Sequence, residues 1–120
     1  MNALRVGTLL AGSGVALGAF GAHALRGRLS ELHLGVFETG VRYQLFHAAA
    51  LLILGVAHRV RSRPQHLWVG RCFILGSLVF SGSLYLLATT GISKFGAVTP
   101  IGGVLLLAGW ATWARAESKS

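Results

Sequence analysis

The stretch CFILGSLVFSGSLYLLATTGIS, residues 72–93, runs for 22 residues without a charge between Arg71 and Lys94. A hydrocarbon core of roughly 30 Å takes about 20 residues of α-helix, so this segment is long enough to cross a bilayer. Three further charge-free runs accompany it: residues 6–25 between Arg5 and Arg26, 43–57 between Arg42 and His58, and 95–114 between Lys94 and Arg115. The first and last are of spanning length. The second is short, and crosses only if residues 39–42 or His58 lie at headgroup level with Arg42 snorkelling.

Composition points the same way. The 120 residues are 53% hydrophobic and 12% charged, with a mean hydropathy of +0.65. Soluble domains carry about 25% charge, so this chain has too little polar surface to cover itself in water. Its length leaves room for one domain, residues 1–120. The expected fold is therefore all-α: an integral membrane four-helix bundle with spans at about 6–25, 41–58, 70–91 and 96–114. The first run also has the form of a cleaved signal peptide, with Ala22-His23-Ala24 as an A-x-A site. Its length, its glycines and the three later runs favour a retained span.

The net charge of +8 suggests nucleic acid at first sight. The arginines, however, mark the ends of apolar runs and not a polar face with interleaved aromatics, which favours membrane lipids as partner and excludes nucleic acid. There is no Asp, and the acids are Glu31, Glu38 and Glu117. Paired-carboxylate and metal-dependent phosphoryl chemistry need several acids in one place, so no catalytic or metal-ligand set is assigned. The lone Cys72 can form neither an internal disulfide nor a thiolate zinc site, and reads as a buried small hydrophobe.

Between the first two runs, residues 26–40 read as a short amphipathic helix at the interface. Ser30 is its N-cap, and Leu29, Leu32, Val36 and Phe37 form its apolar side. HRVRSRPQH, residues 58–66, is a basic loop broken at Pro64. Residues 91–100 form a turn, with Pro100 in the first helical turn that follows. Arg5, Arg59, Arg61, Arg63, Arg71, Arg115 and Lys119 fall on one side of the membrane, and Arg26, Arg28, Arg42 and Lys94 on the other. The larger set predicts that both termini are cytoplasmic. Trp110 and Trp113 are then expected at the inner interface.

GAFGAHAL (18–25), FETGVRYQLFHAAALL (37–52), FSGSLYLLATTG (80–91) and TPIGG (99–103) together resemble the DUF423 family, small bacterial membrane proteins with mitochondrial relatives in eukaryotes. The motifs occur in the same order and spacing over nearly the whole chain. Glu38 stands where members often have Gln. The family is named for its unknown function, so the resemblance implies topology and a location in the bacterial cytoplasmic (inner) membrane but no catalytic residues.

Two patterns remain. Gly7, Ala11, Gly14, Gly18 and Gly21 draw a seam of small residues along the first helix, with Gly12, Ala16 and Ala19 on another side. Such residues let helix backbones approach closely in lipid, so this helix is expected at the centre of the fold or between copies. Polar residues concentrate toward the outer side: His23, Arg42, Gln44, His47, Ser81 and Tyr85, with Tyr43, Gln44 and His47 sharing a helix face. Ionisable groups in lipid are costly and mark function. These six are therefore the expected ligand-binding set, in an outer-leaflet cationic pocket for a lipid, quinone head or small anion. The corresponding class is a non-enzymatic binding protein, a homo-oligomer or a subunit of a larger membrane complex.

Two other classes compete. An oligomeric channel or carrier is one, although four short helices lack the broken helices and repeats of carriers. A redox protein with haem held by His23 and His47 is the other. The cofactor, if any, is not legible. No G-x-S-x-G, H-E-x-x-H or P-loop motif points to hydrolysis or transfer.

Overall fold

The computed structural model describes residues 2–118. Helix α1 spans Ala3–Leu25, α2 Glu31–Val60, α3 Gln65–Thr90 and α4 Lys94–Ser118, and each is long and apolar enough to cross a membrane. No strand occurs among the described residues. The chain is an all-α bundle in which neighbours in sequence are neighbours in space: α1 packs on α2, α2 on α3, and α3 on α4.

Local chemistry sets the helix ends. The Asn2 side chain accepts from the Arg5 N–H at 3.2 Å and caps α1. Ser30 accepts from the His33 N–H at 3.1 Å and caps α2, the residue expected in that role. Gly91, at φ 71°, takes the left-handed conformation that closes α3, a geometry glycine adopts without a Cβ clash. Between residues 17 and 21, α1 passes through a π-helical turn.

Two expected boundaries are corrected. No separate interfacial helix forms over residues 26–40. From Glu31 onward that segment is the start of a single helix of 30 residues, about 45 Å long at the usual rise. Nothing between Ser30 and Arg42 stops a helix once it has begun, since Gly35 and Gly40 weaken it without breaking it. Likewise α4 begins at Lys94, so Pro100 lies inside the helix and not in its first turn.

The small seam of α1 faces α2. A Cβ on Gly14 would lie 2.6 Å from Leu45 Cδ2, one on Gly7 3.1 Å from the Ala48 carbonyl, and one on Gly18 3.0 Å from Val41 Cγ1. Nothing lies within 4 Å of the corresponding position on Gly12, so the second small side, with Ala16 and Ala19, is open. The tightest approach in the bundle is elsewhere. Gly102 of α4 sits directly on the Phe80 backbone of α3, with Gly76 receiving Leu106 and Gly109 receiving Phe73 below it.

The buried interior has three layers. Toward the end that carries both termini, Ala50, Leu51, Leu54, Val69, Phe73 and Leu106 form one apolar cluster. Toward the far end, Ala22, Phe37, Val41 and Ala88 form another. The buried polar side chains Gln44, His47, Ser77 and Ser81 lie between them.

Candidate functional site

Gln44 is the hub of this polar layer. Its Nε2 donates to the Leu10 carbonyl and to Ser13 Oγ, each at 2.9 Å. Its Oε1 accepts from the Tyr85 hydroxyl at 2.6 Å. The Leu10 carbonyl can only accept, which fixes the amide's orientation. One side chain thus ties α1, α2 and α3 together. Tyr85 reaches it because Gly40 leaves a notch, where a Cβ would meet the ring at 2.7 Å. Ser81 Oγ donates to the Gly40 carbonyl at 2.7 Å and closes the same contact.

His47 lies one turn further along α2 and turns to α4. Trp110 Nε1 donates to His47 Nε2 at 3.0 Å, and His47 Nδ1 stands 2.9 Å from the Tyr43 carbonyl. An indole N–H only donates and a carbonyl only accepts. The ring is therefore the neutral tautomer with its proton on Nδ1, and both nitrogens are engaged. Phe73, Phe46 and Trp110 surround it at ring-centroid distances of 5.3, 5.4 and 5.8 Å. Trp110 is half-buried, and this bond ties its indole to α2.

Beside this cluster a groove of about 380 Å³ opens between α2 and α4, lined by Arg42, Tyr43, Phe46, His47 and Trp110. Arg42 is exposed and makes no ion pair or hydrogen bond with any described residue. A second recess, of about 310 Å³, lies between α1 and α2 near the far end, and brings His23 together with Arg26 and Glu38 beside the π-helical turn.

The six expected ligand residues therefore divide three ways: Arg42 and His47 on one groove, Gln44, Ser81 and Tyr85 inside the polar layer, and His23 in the second recess. Their heights along the bundle differ as well. His47 contacts Phe73 and Trp110, residues in the halves of α3 and α4 nearest the termini. The ten or so residues of α2 before Arg42 add about 15 Å on its far side, so Arg42 does not begin its helix. Haem ligation by His23 and His47 loses its basis, because the two line separate recesses and His47 has no open nitrogen.

Sequence reasoning placed Tyr43 on the face of His47 but missed Ser13, Phe46 and Trp110 as parts of these arrangements. A signal existed for Phe46, which lies three and four residues from Tyr43 and Arg42 on one helix face. Trp110 carried none, because its partner lies 63 residues away in the chain.

Four apolar helices around a buried polar layer define a multi-pass integral membrane protein. Residues 17–103 match the DUF423 family, described as a protein of unknown function, and the chain belongs to that family. UPF0382 membrane protein SH2409 of Staphylococcus haemolyticus is 47% identical over 105 residues, covering 88% of this chain and 85% of that protein. UPF0382 inner membrane protein YgdD of Escherichia coli K12 is 46% identical over 97 residues, covering 81% and 74%. No solved structure matches the chain.

Proposed function

We propose that this is a non-enzymatic binding protein of the bacterial inner membrane whose α2–α4 groove holds an amphiphile, its polar head on Arg42 and its apolar part along Tyr43, Phe46 and Trp110. The observation that carries this is Arg42 itself. A guanidinium near the middle of a span costs about 2.5–3.5 kcal/mol on insertion scales, and among the described residues Arg42 forms no ion pair, Glu38 one turn away lining the other recess. An anionic or strongly accepting head, such as a phosphate or a quinone carbonyl, would supply the missing acceptor. The aromatic wall suits the remainder of a lipid or quinone.

The inner-membrane location is supported by the Escherichia coli relative, which is called an inner membrane protein. Cytoplasmic termini rest on the arginine distribution. Association into a homo-oligomer, or within a larger complex, rests on the open small-residue side of α1 at Gly12, Ala16 and Ala19, the kind of face that lets helix backbones approach closely in lipid.

The test is to extract the protein without denaturation and identify retained amphiphiles by native mass spectrometry. Wild type should carry one that Arg42→Gln loses, together with its stabilising effect on melting. A ligand at a hundredfold excess over its Kd adds about 2.7 kcal/mol, which a melting curve resolves. Identical retention in both proteins would overturn the reading.

A further inference from the structure

At the end that carries both termini, the start of α1 and the α2–α3 hairpin enclose a recess of about 340 Å³ that the Arg42 groove does not touch. Its polar lining is Asn2, His58, Arg59 and His66, and Leu4 and Leu54 are among its apolar walls. His66 is 4% exposed, and its Nδ1 lies 2.9 Å from His58 Nδ1. His58 Nε2 in turn lies 3.2 Å from Ser62 Oγ. His66 Nε2 is buried and has no hydrogen-bond partner.

The proton arithmetic of this pair is informative. Two imidazole nitrogens at hydrogen-bond distance share one proton: one donates and the other accepts. When the proton sits on His58 Nδ1, a neutral His66 carries its own on Nε2, which becomes a buried donor with no acceptor. When it sits on His66 Nδ1, Nε2 presents a bare lone pair with no donor. Either way the ring has one unmet demand, and a buried polar atom in that condition calls for a partner. The surroundings choose its sign. Arg5, Arg59, Arg61, Arg71 and Arg115 gather at this end, against Glu117, which pairs with Arg63 at 4.0 Å.

We propose that the recess bounded by Asn2, His58, Arg59 and His66 is a binding site for a phosphate-type oxyanion, presented at the membrane surface by an anionic phospholipid head or arriving as free phosphate. Arg59 supplies the charge and Asn2 an exposed amide, and a shift of the His66 ring toward the anion would give its buried Nε2–H the acceptor it lacks. Leu4 and Leu54 offer a path for an acyl chain away from the head. Basic pockets between helices at a membrane face bind anionic heads by the same combination of charge and apolar wall.

The test uses the full chain in detergent, titrated separately with phosphatidylglycerol, phosphatidylcholine and inorganic phosphate, with melting temperature and native mass spectra as readouts. Phosphatidylglycerol should raise the melting temperature and remain bound where phosphatidylcholine does not. In an Arg42→Gln background, where the α2–α4 groove no longer contributes, Arg59→Gln should weaken that binding at least tenfold, whereas Arg28→Gln, an exposed arginine at the far end outside the recess, should leave it unchanged. Stabilisation by inorganic phosphate alone, lost in Arg59→Gln, would support the site with a free anion as its occupant. Equal effects of the two lipids, or phosphatidylglycerol binding that Arg59→Gln leaves intact, would overturn the proposal.

Discussion

Replacing Gln44 with Leu tests whether the polar layer organises the bundle. The substitution keeps size and helix propensity but removes three hydrogen bonds that join α1, α2 and α3. Side-chain hydrogen bonds in membrane proteins average about 0.6 kcal/mol each, so their direct loss amounts to about 2 kcal/mol. The Tyr85 hydroxyl is also left unpaired, which adds about 1–3 kcal/mol before the gain from the new apolar side chain is subtracted. A net destabilisation of about 2–4 kcal/mol is expected from these two contributions. Tyr85→Phe breaks one bond and should cost about 1 kcal/mol. The double variant should cost less than the two singles added together, because both remove the same contact. Reversible unfolding in mixed micelles measures all three, with Ile53→Ala, on a surface 62% exposed, as the reference change. If Gln44→Leu unfolds within about 0.5 kcal/mol of wild type, as ordinary surface changes do, the layer is incidental and the reasoning fails.

Other expectations follow from the packing and the topology. Gly102→Ala should be severely destabilising, since its Cβ meets the Phe80 backbone, whereas Gly12→Ala should be neutral or gain about 0.5–1 kcal/mol; equal thermal stability of the two would contradict the helix contacts. Gly14→Leu should lower stability by about 1–3 kcal/mol or more through overpacking against Leu45, while Val15→Leu, on an exposed face, should be tolerated. A C-terminal fluorescent fusion should glow and an alkaline phosphatase fusion near Gly27 should be active; the opposite pair of results would reverse the orientation. Protein purified without denaturation should lack a Soret band, and a band lost in His47→Ala would restore the haem reading.

The spans were legible because charge-free runs of about 20 residues have few alternatives. The Ser30 cap and the α1 seam were legible because both depend on local spacing. Depth was not. Arg42 reads in the sequence as the surface end of its span, yet the helix continues for more than two turns beyond it, and no residue in that stretch signals which turn meets the headgroups. The shared face of Gln44 and His47 was a weaker guide than it looked. Residues three apart differ by about 60° around a helix, and α2 has neighbours on several sides, so the two side chains reach different helices. The α3–α4 contact at Gly102 and the bond between Trp110 and His47 join residues far apart in sequence, and neither leaves a periodic trace.

Whatever lies against Arg42 decides whether the α2–α4 groove is a binding site. A high-resolution density map of the protein, extracted with its native lipids and without added ligand, observes this directly. Density for a polar head within about 4 Å of the guanidinium, continuing along Tyr43, Phe46 and Trp110, is the predicted result. An α2–α4 groove filled only by the acyl chains of bulk lipid, with Arg42 extended to the membrane surface, would contradict it.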